Sequence, residues 1–265
     1  MDAASTSTAV EARWDRLSAP ALREAAGQRT VVIVPLGATE QHGPHLPTQV
    51  DWRLAYEVAL RAARAMPAPW RALVTPALPF GMSEHHMSLG GTITLDYATM
   101  SALVGCVVRS AARHGFTRIF VLNGHGGNIA ALETIVTELT VALRLPLACG
   151  TYWQIAAEPI RRILQHQGNV LHACEAETSM LQALSPETVA PLAPRLSQPL
   201  IPGLNAIEGV HPGIYRWQQL QTRSPLGLIG EAWAATPEKG HALLEAISGE
   251  VASALACDRL WAAPI

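Results

Sequence analysis

The chain has 265 residues, with 19 Lys and Arg against 21 Asp and Glu for a net charge of −2, and is 49% hydrophobic and 15% charged. A chain of this length can bury roughly 70–75% of its unfolded surface without staples, and its apolar content excludes an intrinsically disordered polypeptide. The balanced charge leaves no Lys/Arg footprint for nucleic acid, and the longest apolar stretches, such as Val31–Leu36, fall far short of the roughly 20 residues of a membrane span.

Residues 1–28 read as an N-terminal extension and a first helix, without the basic and apolar regions of a secretory signal, so a cytoplasmic protein is expected. Cys106, Cys149, Cys174 and Cys257 are scattered with no CxxC pair. They read as reduced thiols, with Cys106 and Cys149 buried on their apolar runs.

Arg29–Leu36 is a continuous apolar run, as in a strand buried on both faces. Val50–Ala65 has helical apolar spacing and is ended by Pro67 and Pro69. Strand Ala72–Leu78, helix Tyr97–His114, strand Thr117–Leu122, helix Asn128–Leu143, strand Leu145–Tyr152 and helix Ala173–Leu184 follow. Residues 200–235 are irregular and rich in Pro, Gly and Trp, a candidate lid (Gly203–Gly213) or subunit contact, before a last helix over Pro237–Ala256. Strands alternating with helices predict one α/β domain over residues 1–265: a mainly parallel sheet covered by helices on both faces, a three-layer α/β/α sandwich. In such sheets ligands bind outside the carboxyl ends of the strands.

Polar clusters stand at those ends. After the first strand, Gly37-Ala38-Thr39-Glu40-Gln41-His42-Gly43-Pro44-His45-Leu46-Pro47 leads to Asp51. The i, i+2 spacing of Glu40 and His42 points both side chains to one side of an extended backbone. After the third strand comes Asn123-Gly124-His125-Gly126-Gly127-Asn128, whose glycines allow a sharp turn and close approach to a ligand. After the fourth comes His172-Ala173-Cys174-Glu175-Ala176-Glu177-Thr178-Ser179, where His172 and Glu175, spaced i, i+3, can share a helix face. Glu177 falls on another face and is expected to support the site, as is Asn123. Gly81-Met82-Ser83-Glu84-His85-His86 follows the second strand, and His86 is a candidate substrate contact or a loop residue. Taken singly, each cluster has an ordinary reading as a loop or a helix start. Together, the five donors Glu40, His42, Asp51, His125 and Glu175 exceed one tetrahedral zinc site. They suit two divalent ions about 3.5–4 Å apart with a bridging carboxylate.

The GATEQHGPHLP run, the NGHGGN block and His172–Ser179 resemble the creatininase (creatinine amidohydrolase) family over about Val31–Ser179, with a weaker echo at Gly227–Gly240. The resemblance implies a creatininase-like sandwich with two divalent ions, zinc first and manganese second. Glu40, Asp51 and His125 would hold one ion. His42, a bridging Asp51 and a further Glu would hold the other. Creatininases proper carry Tyr and Glu directly after the NGH histidine, where this chain has Gly126 and Gly127. Glu175 is expected to replace that carboxylate, as in HAGE-type relatives such as formamidopyrimidine deformylases and mycofactocin precursor peptidases. The resemblance further implies hydrolysis of an amide, cyclic amide or formamide C–N bond of a small molecule by a hydroxide between the ions. His172 would shuttle protons, with Glu175 also catalytic, in a homo-oligomer that is hexameric in many members.

Gly126, Tyr152 and Trp153 are expected to contact substrate beside His86. Trp217 and Trp233 are further aromatic candidates, and His211 and Arg216 could meet an anionic substrate group. The competing readings are a creatinine amidohydrolase proper, a mycofactocin-type peptidase, an isomerase or lyase at the same metals, and a metal-stabilised binding protein without turnover.

Overall fold

The computed structural model describes residues 11–198 and 215–264. Its centre is β1 (Thr30–Leu36), whose seven residues are all buried. Side chains alternate across a strand, so Val31 and Ile33 enter one apolar cluster while Val32, Val34 and Leu36 enter another. Both faces therefore need a helical cover, which makes the fold three-layered.

The sheet runs β2 (Arg71–Val74), β1, β3 (Ile119–Asn123), β4 (Leu147–Thr151), all parallel. One face is covered by α2 (Val50–Ala65), the short α5 (Tyr152–Ile155) and α6 (Ala157–Ile163), α7 (Glu175–Leu184) and α8 (Pro237–Leu255). The other is covered by α1 (Ala19–Ala26), α3 (Tyr97–Arg113) and α4 (Ile129–Leu143). Because β2 and β3 flank β1 on opposite sides, the strand order switches between β1 and β3. That crevice is where an open parallel sheet binds ligands.

Several expectations need correction. The second strand stops at Val74, since Pro76 has no N–H for the ladder, and only a single bridge, Leu36 to Leu78, follows. The stretch after β4 forms α5 and α6, which the sequence pattern did not suggest. Cys106 is exposed, because α3 buries Met100, Val104, Val108 and Ala111 on its opposite side, and Cys149 is only half-buried. Helix α7 begins at Glu175, two residues later than expected, because Ala173 adopts φ +51° and His172 pairs in an isolated bridge with Ile229. The candidate lid Gly203–Gly213 lies outside the described residues, as do residues 200–214 generally. From 215 to 235 the chain makes two short 3₁₀ turns, Leu220–Thr222 and Ala232–Ala234. Among the described residues no helix is long and apolar enough to cross a membrane.

Candidate metal centre

Two glycines set the first turn of α2 into the crevice. A Cβ on Gly37 would lie 2.3 Å from the backbone N of Trp52, and one on Gly124 would lie 2.5 Å from the carbonyl oxygen of Asp51. Only bare backbone permits that approach. It seats Asp51 between the ends of β1 and β3, inside the helix, while Gln49 rather than Asp51 holds the N-cap position.

Asp51 faces two ways. Its Oδ1 lies 3.1 Å from His42 Nε2, and its Oδ2 lies 3.0 Å from His125 Nδ1. His125 Nδ1 is also 3.2 Å from Glu40 Oε2, and His42 Nε2 is 3.9 Å from Glu177 Oε1. Glu40 Oε1 is approached by His86 Nε2 at 3.4 Å and His172 Nδ1 at 3.7 Å. Among the described residues three overlapping groups could each hold a metal ion: Glu40, Asp51 and His125; His42, His172 and Glu177; and Glu40, His86 and His172.

The donor chemistry fits cations. Glu40 Oε2, Asp51 Oδ2 and His42 Nε2 are fully buried yet lack a properly aligned hydrogen-bond partner among the described residues. Unpaired buried polar atoms are expensive, and metal ions held by these groups would satisfy them. His42, His125 and His172 each have the far nitrogen tied to a carbonyl, which turns the other nitrogen towards the carboxylates. His42 Nδ1 donates to the Glu40 carbonyl at 3.2 Å, and His125 Nε2 donates to the Met82 carbonyl at 3.1 Å. Such outer bonds fix the tautomer and orientation of metal-binding histidines. Ser83 Oγ also touches His125 Nε2 at 3.2 Å. The Asn123 side chain clamps the His125 turn, accepting from its N–H at 3.1 Å and donating to its carbonyl at 2.7 Å.

Burial raises the pKa of the Glu40 and Glu177 carboxyls. It opposes ionisation of Asp51 too, but His42 and His125 overcome it and hold Asp51 low. For His125, burial is outweighed by Glu40 and Asp51, which lift it to about 10. His42 is likewise raised, by Asp51 and Glu177 against burial. His172 is held neutral, first by burial and then by His42. Carboxylates that bind protons onto two buried imidazoles would equally favour a metal cation in place of those protons.

The acidic helix start departs from expectation. Glu175 turns away from the cluster: Lys239 Nζ donates to its Oε1 at 2.7 Å, and the backbone N–H groups of Gln165 and His166 donate to its two oxygens at 3.3 and 3.2 Å. Glu177 is the carboxylate that faces His42, with its Oε2 accepting from Ala173 N–H at 2.6 Å. The expected sharing of a helix face by His172 and Glu175 fails because His172 precedes the helix. A Cβ on Gly127 would lie 2.3 Å from the Met82 carbonyl, so a glutamate there would need the Met82 loop to shift.

A cavity of about 610 Å³ opens onto Glu40, Asp51, His125 and Glu177. His86, Gly126 and Trp153 line it, and a Cβ on Gly126 would meet only open space. Tyr152 does not line it. It is fully buried in the core, edge-on to Trp153 at 4.9 Å, with its hydroxyl raised by burial and then by Glu177. Trp217 lines the cavity, whereas Trp233 packs tilted against His166, with ring centroids 4.8 Å apart. Gln41 was not singled out from the sequence. Its Nε2 lies 2.9 Å from His86 Nδ1 and its backbone carbonyl accepts from His172 Nε2 at 3.0 Å, so one residue orients two histidines. Gly227, which leads the later glycine-rich echo, takes φ +63° against Gln41, where a Cβ would collide with the amide at 2.2 Å. That stretch holds the histidines and Lys239 in place.

The family profile described as creatininase, creatinine amidohydrolase, matches residues 15–255. The chain belongs to the creatininase family. A mycofactocin precursor peptide peptidase of Mycobacterium ulcerans (strain Agy99) is 32% identical over 234 residues, 85% of this chain and 84% of the relative. A creatinine amidohydrolase of Pseudomonas putida is 31% identical over 267 residues, 92% of this chain and 94% of the relative. The solved structure "Creatininase Mn" superposes with a TM-score of 0.73 at 26% identity, covering 92% of this chain and 97% of the other. Deformylases of Methanobrevibacter match more distantly. This creatininase-family member is a hydrolase of carbon–nitrogen bonds, as these relatives are.

Proposed function

We propose that the protein hydrolyses an amide C–N bond at a centre of two divalent ions, zinc by preference and manganese as the alternative. Glu40, Asp51 and His125 would hold one ion, and His42, Asp51 and Glu177 the other. The observation that carries this reading is the two-way disposition of Asp51, each oxygen facing a different histidine. The manganese creatininase named above supports a divalent metal in this fold.

Ions bound there supply a water that loses its proton near neutral pH and a Lewis acid for the carbonyl. The chain's own residues do the rest. Neutral His172, with Nε2–H committed to the Gln41 carbonyl, presents its unprotonated Nδ1 to the cluster, positioned to take a proton from the attacking water and pass it to the departing nitrogen. The open space at Gly126 and the flat face of Trp153 admit the substrate. Glu175 acts on this reading as an internal anchor for α8 through Lys239, not as a ligand or catalyst.

The substrate is an amide of a small molecule or, as in the peptidase relatives, of a peptide. Loss of the Tyr-Glu pair at Gly126 and Gly127 argues against creatinine as the best substrate. A homo-oligomer, hexameric as the resemblance implies, and a cytoplasmic location remain part of the proposal. The exposed Leu226 and Trp233 support a subunit contact. The test is metal analysis of the purified protein coupled to a panel of linear, cyclic and formylated amides that includes creatinine. Metal-dependent release of amine supports the reading, and efficient creatinine turnover would overturn the specificity argument.

A further inference from the structure

Arg223 sits directly after the turn Leu220–Thr222, which packs on the 3₁₀ turn Glu84–Leu89 that carries His85 and His86. It lines the same cavity as Glu40, Asp51 and His125. Its Nε and Nη1 are shielded from solvent and have no hydrogen-bond partner among the described residues. Glu84 and Glu177 line that cavity too, yet no carboxylate of the described residues reaches ion-pair distance of the guanidinium. A shielded guanidinium without an anion is costly, and the cost is recovered when a ligand supplies one. Arg223 is correspondingly pushed below its usual pKa by burial. Arg216, the sequence-based candidate for an anion contact, is exposed and off the cavity wall, and His211 lies outside the described residues.

We propose that Arg223 binds an oxyanion carried by the substrate, a carboxylate or a phosphate, and so selects amides bearing an acidic group near the bond that is cleaved. The planar fork of N–H donors matches two oxygens of either group, and the bonds are charge-assisted. Tyr215 and Trp217 beside it offer aromatic surface to the part of the substrate between the anion and the amide. The substrate class rests on the hydrolase reading above, whereas the anion site itself does not.

The test is calorimetric titration of the metal-loaded protein with three matched probes: N-acetylglycine, its neutral primary amide, and N-acetylaminomethylphosphonate. The wild type is expected to bind one or both anionic probes about tenfold or more tightly than the neutral one. Arg223→Met should remove that preference and Arg223→Lys should retain part of it, with circular dichroism and metal content unchanged. Whichever anionic probe binds tighter identifies carboxylate or phosphate as the natural group. A preference that survives intact in a folded Arg223→Met protein would place the anion on the metals and overturn the proposal, as would the absence of any preference in the wild type. Binding is read without turnover. A protein that shows the preference but hydrolyses nothing keeps the anion site and sinks the hydrolase reading.

Discussion

Glu175 and Glu177 stand two residues apart at the start of α7 and bury their carboxylates in different directions, Glu177 Oε1 at 3.9 Å from His42 Nε2 and Glu175 Oε1 at 2.7 Å from Lys239 Nζ. Two positions along a helix are about 200° of rotation apart, so one faces the candidate metal centre and the other faces α8. Glu177→Gln should lower the bound metal by one equivalent with little loss of thermal stability. Glu175→Gln should keep both equivalents but leave the half-buried Lys239 without its carboxylate, at a cost of about 1–3 kcal/mol. Metal analysis and thermal melts of the two variants check this pair of outcomes.

His172→Ala should retain full metal content while turnover falls about 10²–10⁴-fold, the usual worth of a positioned proton donor. Loss of metal in this variant would move His172 from proton transfer to ligation, where its 3.7 Å approach to Glu40 also allows it to stand.

The two glycine positions separate close approach from open space. Gly124→Ala puts a methyl 2.5 Å from the Asp51 carbonyl, which should cost about 1–3 kcal/mol by overpacking and displace Asp51 enough to weaken metal binding. Gly126→Ala meets nothing within 4 Å and should fold and load metal like the wild type. Melting curves with metal analysis read both.

His45 is buried, donates or accepts at 2.8 Å with Thr178 Oγ1, and is held down to about 4 by burial and then by His42. Its folded pKa is below the unfolded value of about 6.5. The unfolded chain therefore binds more protons between those values, so stability is full above about pH 6.5 and falls as pH drops towards 4. The whole effect is of order 3 kcal/mol. Comparing wild type with His45→Asn in the same metal state, the variant should lose less stability between pH 7 and 4.5. Parallel melting curves would contradict this.

Much of the fold was legible because the signals are local. The run Val31–Leu36 has to be buried on both faces, and the apolar spacing of Val50–Ala65 together with the prolines after it sets both ends of α2. Glu40, His42, Asp51 and His125 follow from one rule about strand ends. The acidic helix start was misread because helix phase depends on where the helix begins. Ala173 at φ +51° delays that start and takes His172 off the face it would share with Glu175. Tyr152 was misplaced because α5 turns it into the core. Gln41 and Arg223 act through partners 45 or more residues away in the chain or through missing ones, which no spacing reveals.

The most direct measurement is the metal stoichiometry of the purified protein and of Asp51→Ala. The account predicts two divalent ions per wild-type chain, and loss of both together in Asp51→Ala, because its two oxygens serve both sites. One tightly held ion in the wild type, or two ions that persist without Asp51, would contradict it.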